Sequence, residues 1–72
     1  MPKLPIISGK EAVGVFVKIG YKIERQRGSH IRLSCQHRRP LTIPNHKVIG
    51  KGLLRKILRN ANISVSEFIK LI

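Results

Sequence analysis

The sequence predicts an α+β fold of order α-β-β-β-α with a short terminal helix, in which the helices cover one face of a three-stranded antiparallel sheet. Three observations predict it. Apolar residues recur at helical spacing before Gly20 and again after Gly52. From His30 the alternation Ile31, Leu33, Cys35 against His30, Arg32, Ser34 has the period of a half-buried strand. A glycine turn at Gly28 joins that strand to the run before it, as in a hairpin.

Taken in order, Met1 to Ile7 is an extended lead in which Pro2 and Pro5 fix the backbone. Ser8-Gly9-Lys10-Glu11 has capping-box spacing: the serine hydroxyl accepts a first-turn N–H and the glutamate reaches back to the cap. Ala12, Val13, Phe16 and Val17 follow at helical intervals, leaving Lys10, Gly14 and Lys18 on the wet side. Gly20 closes this first helix, over residues 9–19. Tyr21 to Gln26 reads as a strand with Tyr21 and Ile23 facing one way. The Arg27-Gly28 turn then returns the chain into a strand over residues 30–36. Gln36 to Arg39 is a basic loop. Leu41-Thr42-Ile43 is a third strand, bracketed by Pro40 and Pro44, and prolines suit an edge because they donate nothing to a ladder. Asn45 to Gly52 reads as a loop, after which Leu53, Leu54, Ile57, Leu58 and Ala61 mark the second helix. Ser64-Val65-Ser66-Glu67 repeats the capping-box spacing and opens the last helix, with Val65, Phe68, Ile69 and Ile72 on one stripe.

Seventy-two residues allow one domain, covering 1–72, and a thin core. The single cysteine excludes an internal disulfide framework and fits a reducing cytoplasm. No apolar run approaches the roughly 20 residues of a membrane span, and the N-terminus lacks a signal-peptide pattern. Charge is the dominant feature. Fifteen Lys and Arg face three Glu and no Asp, spread along the whole chain. Such a field draws polyanions, nucleic acid first among them. An acidic protein partner satisfies the same electrostatics.

The chemistry concentrates in Arg25-Gln26-Arg27-Gly28-Ser29-His30-Ile31-Arg32-Leu33, a tight turn feeding a strand. If Ile31, Leu33 and Cys35 pack under the helices, His30, Arg32 and Ser34 look outward from the open sheet face. A titratable imidazole among fixed cations is a site for handling a phosphodiester. Metal-dependent hydrolysis fits poorly, because the three Glu are scattered and Glu11 and Glu67 are engaged by their caps. A zinc site from Cys35, His37, His30 and His46 is disfavoured by the opposite parity of His30 and Cys35 on one strand. No metal or other cofactor is expected.

Gly28-Ser29-His30 after a strand, Pro44-Asn45-His46, and Lys51-Gly52-x-Leu54-x-x-Ile57-Leu58 resemble the HicA (YcfA-like) toxins. Ile63-Ser64-x-x-Glu67-Phe68 fits the same pattern, so the likeness covers nearly the whole chain in order. The loop Asn45-His46-Lys47-Val48-Ile49 departs from the more polar, glycine-bearing loop of many members. The resemblance implies a double-stranded-RNA-binding-like fold, ribosome-independent mRNA cleavage, and a neighbouring acidic HicB antitoxin that masks the active site. It also implies that His30 is the catalytic histidine.

The expected function is therefore a metal-independent endoribonuclease toxin of a toxin–antitoxin system, with His30 as acid/base. Arg27, Arg32, Lys47 and Lys51 are expected to grip phosphates, with Lys10 and His46 as further RNA contacts. Gly28 and Ser29 shape the turn, and Ser29 is placed to hydrogen-bond RNA. Lys51 at a helix N-terminus works against the helix dipole, a conflict that a bound phosphate removes. The competing expectation is a non-catalytic double-stranded-RNA-binding module of the same fold.

Overall fold

The computed structural model describes residues 3–72, so Met1 and Pro2, the first two residues of the expected lead, lie outside the described residues, and residues 3–7 form no helix or strand. The order is α1 (Gly9–Ile19), β1 (Lys22–Arg27), β2 (His30–Cys35), β3 (Arg38–Pro44), α2 (Lys51–Ala61) and α3 (Val65–Leu71). The three strands form one antiparallel sheet in the order β1-β2-β3, so β1 and β3 are both edges.

Local chemistry accounts for the helix ends. Ser8 Oγ accepts from Glu11 N while Glu11 Oε1 accepts from Ser8 N, both at 3.1 Å, which completes the first capping box. Ser64 Oγ accepts from Glu67 N at 3.1 Å and caps α3, but the box is not reciprocal: Glu67 Oε1 accepts from the Ser64 hydroxyl at 3.2 Å and not from its backbone N–H. α2 starts differently. Gly50 is its N-cap with no side-chain bond, and no acid lies in its first turn. Lys51 and Gly52, expected in the preceding loop, already belong to this helix.

The core lies between the helices and one sheet face. Ile31 and Leu33 of β2 and Leu41 and Ile43 of β3 are buried there against Phe16, Leu54, Ile57 and Phe68. The three aromatic rings form one cluster. Phe16 meets Tyr21 edge-on at 5.6 Å between centroids, and Phe68 at 5.7 Å. Such pairs contribute about 0.5–1.5 kcal/mol beyond area burial. The Tyr21 hydroxyl donates to Arg39 O at 2.9 Å, and burial pushes its phenol pKa up.

Several positions differ from expectation. Val15 is buried in place of Val17, and Val17, Leu53 and Ile72 are exposed. Leu71 packs against the core in place of Ile72. The stretch Gln36 to Arg39 is not all loop, because pairing resumes at Cys35 and Arg38. The ladder is irregular between Leu33 and Cys35, opposite Arg39 and Pro40. A bulge on an edge strand accommodates a residue that lacks an N–H, so Pro40 does not end β3.

Two glycines fix the end of the sheet that carries His30. A Cβ on Gly9 would collide with Pro44 O, so the start of α1 meets the end of β3 backbone to backbone. Gly9 N also donates to His46 O at 2.9 Å. Gly28 holds φ +55° in the two-residue turn between Arg27 and His30. Positive φ at the first turn residue alone matches a type II′ hairpin, whose twist suits the flanking strands.

Candidate nucleic-acid interface and active site

The site follows from strand pairing. β2 alternates as its sequence requires: Ile31 and Leu33 are buried on the helix side, while His30 is exposed and Arg32 half-exposed. On β3, Pro44 stands opposite His30 and Thr42 opposite Arg32. Arg32 donates from a guanidinium nitrogen to Thr42 Oγ1 at 3.3 Å, which orients it along the open face.

β1 contributes in a way that simple alternation does not suggest. Ile23 pairs with Leu33, so by strict alternation Glu24 would share the face of Arg32 and Arg25 would turn away. The register instead shifts between Ile23 and Arg25, leaving Glu24 as an extra residue. Arg25 then stands opposite Arg32, and Arg27 opposite His30. One bulge therefore brings two arginines onto the imidazole's face. Arg25, Arg27, His30, Arg32 and Thr42 line a common cleft of about 130 Å³. Arg25 and Thr42 are the members that sequence reasoning missed. The signal for Arg25 is weak, since nothing in Ile23-Glu24-Arg25 marks a bulge.

Arg25 directly opposite Arg32 is electrostatically unfavourable, because like charges across a ladder repel. Arg27 next to His30 adds to the positive field. A bound anion offsets this repulsion, and a phosphodiester fits both the charge and the donor geometry of guanidinium groups.

The remaining expected contacts are distributed around this cleft. Gly28 and Ser29 form the turn directly beside it. Asn45 N donates to Ser29 O at 2.6 Å, so the loop bearing His46 and Lys47 leaves from the His30 end of the sheet. His46, Lys47, Lys51 and Lys10 are all exposed, but none of them lines the cleft. His37 lies at the opposite end, in the β2–β3 turn. Among the described residues, no three His, Cys, Asp or Glu side chains group as metal ligands would. No helix is long and apolar enough to cross a membrane, among the described residues.

Fold and site together define a small, strongly cationic α+β protein that presents an imidazole and arginines on an open sheet. A family model described as the HicA toxin of bacterial toxin–antitoxin systems matches residues 9–63, from the first residue of α1 to just beyond α2. The chain belongs to the HicA toxin family. Membership implies a paired antitoxin. No curated protein matches the chain.

Proposed function

We propose that this HicA-family protein is a metal-independent endoribonuclease acting on mRNA, with His30 as the acid/base. The observation that carries this reading is the exposed imidazole in a cleft with Arg25, Arg27 and Arg32, on the face no helix covers. Strand scission through the ribose 2′-OH needs a base for the 2′ proton and cations for charge developing on the phosphate. Imidazole is the side chain that titrates nearest neutral pH, and guanidinium groups are permanent cations with paired donors. His30 takes the 2′ proton, the 2′ oxygen bonds to phosphorus, and the bond to the 5′ oxygen breaks as that oxygen takes a proton from water. The product carries a 2′,3′-cyclic phosphate.

The donor set supports metal independence. Glu11 and Glu67 are held by their caps, and Glu24 is the bulge residue of an exposed strand. Lys47, Lys51, Lys10 and His46 extend the phosphate contacts outside the cleft, and Ser29 adds a donor at the turn. An acidic HicB-like antitoxin is the expected partner, because covering this face neutralises the arginine repulsion and hides His30.

The test is His30→Ala on a defined mRNA. A loss of about 10²–10⁴-fold in turnover with RNA affinity kept is expected of a removed acid/base. Replacing the ribose at the scissile position by deoxyribose should block cleavage, while a chelator should not. Cleavage at the wild-type rate by the alanine variant would remove His30 from the chemistry. RNA binding without cleavage by the wild type would leave the double-stranded-RNA-binding alternative.

A further inference from the structure

A larger concavity than the His30 cleft lies at the other end of the sheet. It has a volume of about 760 Å³ and is lined in part by His37, Arg38, Arg39, Arg59, Asn60 and Asn62. Between the two runs a third groove, along the seam of β3 and α2, with Lys56 and exposed Leu53 on its helix side. The three share residues. Arg32 and Thr42 line both the His30 cleft and the seam, and Asn60 lines both the seam and the arginine-rich concavity. They form one path across the edge of the sheet. No carboxylate lines any part of it among the described residues.

We infer that this path is an extended RNA-backbone groove, with the scissile phosphate at His30 and a distal phosphate held by Arg39 and Arg59. The inference rests on the ribonuclease reading of His30. Arg38 is occupied elsewhere, since it donates to Ala61 O at the C-terminal end of α2, where a cation is favoured by the helix dipole. Arg39 and Arg59 are exposed at the groove. Neutral donors at Thr42, Asn60 and Asn62 suit phosphate and sugar contacts that position a strand without reading its bases. RNA is favoured over an acidic protein because the path begins at the imidazole, and the ligand that reaches it carries the scissile bond.

Length follows from the geometry. Cys35, beside the distal cluster, is five residues along β2 from His30. At about 3.3 Å per strand residue this is about 17 Å, or about five nucleotides at about 3.4 Å per stacked step. A stacked strand with fewer nucleotides on that side of the scissile bond falls short of Arg39 and Arg59.

The experiment measures binding of single-stranded RNA of three and of twelve nucleotides to the His30→Ala protein, which keeps the RNA uncut. The same protein is then compared with the added pair Arg39→Gln and Arg59→Gln, and separately with Lys56→Gln. Thermal melting checks that each variant is folded. The pair should weaken twelve-nucleotide binding about tenfold and reduce the salt slope by about 0.7, the value for one phosphate contact on a single strand. The three-nucleotide RNA should bind alike with and without the pair, and Lys56→Gln should give a smaller loss on the longer RNA only. Equal weakening at both lengths, or an unchanged twelve-nucleotide affinity, overturns the groove. So does a loss confined to an acidic protein partner. A wild type that cleaves no RNA, while twelve-nucleotide binding still responds to the pair, overturns the ribonuclease reading and leaves the groove standing.

Discussion

The two edge strands flank the same central strand, yet they are built on opposite principles. β3 buries Leu41, Ile43 and Pro44, and α2 lies against it. β1 is exposed at every position and carries Lys22, Arg25 and Arg27. Burial holds β3 in place, whereas β1 is held chiefly by its ladder to β2. An edge that packs against nothing can carry charges that no core strand tolerates, and those charges also discourage pairing with another sheet. The proposed active face thus takes two of its three arginines from the strand that contributes least to the core.

The comparison is broken most directly by stability measurements. Leu41→Ala or Ile43→Ala should each cost about 2–5 kcal/mol in denaturant unfolding, since both side chains are fully enclosed. Ile23→Ala on β1 should stay within about 0.5 kcal/mol, because its side chain is 58% exposed. Gly9→Ala belongs with the first group. Its new methyl would meet the Pro44 carbonyl, and forcing backbone apart costs about 1–3 kcal/mol or more. Similar losses at Ile23 and Ile43 would show that β1 carries hidden packing.

Tyr21, just before β1, gives a pH-dependent version of the same test. Burial, the largest cause, and the neighbouring Cys35 raise its phenol pKa, while Arg38 lowers it. A raised acid means that the fold favours the neutral phenol. The resulting stability is complete below the ordinary tyrosine range and is lost as pH rises through the folded-state value. Alkaline melts should therefore show a loss that Tyr21→Phe removes, although Tyr21→Phe also forfeits the bond to Arg39 O at neutral pH. Parallel alkaline curves for the two proteins would contradict this.

A smaller stability effect, with opposite sign, is expected at Arg25. Arg25→Glu replaces a like-charge pair across from Arg32 by an opposite-charge pair, stabilising the fold by about 0.2–1 kcal/mol. RNA cleavage should fall at the same time, because a carboxylate then faces the phosphate. Gain in one and loss in the other would mark β1 as a strand shaped by function at the expense of stability. Loss in both would make Arg25 a structural residue.

What the sequence reveals of this layout depends on whether the information is local. The two serine–glutamate caps and the alternation from His30 to Leu33 are local, and α1, β2 and α3 follow from them directly. The start of α2 is hidden because Gly50 offers no side-chain cap and Lys51-Gly52 has the composition of a loop. The early start of β3 is hidden by Pro40, which local rules read as a terminator and the bulge absorbs. Arg27, His30 and Arg32 are legible as one cluster because the hairpin turn brings them together. Arg25 is not, since its direction is set by a register shift that depends on pairing with β2. The distal groove is likewise invisible, as it joins side chains of β3 and α2 that only tertiary packing brings together.

The shift at Glu24 gives the finest test, through two deletions of equal length. Removing Glu24 takes out the extra residue and leaves Ile23 opposite Leu33 and Arg25 opposite Arg32 in a regular ladder. The cationic face is preserved, so fold and RNA cleavage should change little. Removing Arg25 also regularises the ladder, but it puts Glu24 opposite Arg32 while Arg27 stays across from His30. Backbone pairing and chain length are then the same in both proteins, and the two differ only in the sign of one charge beside the imidazole. Deletion of Arg25 should therefore melt slightly above deletion of Glu24, by the same opposite-charge gain of about 0.2–1 kcal/mol, and cleave RNA far more slowly. If both deletions abolish cleavage, the bulge itself is needed, through the twist it gives β1, and the arginine it turns outward is secondary.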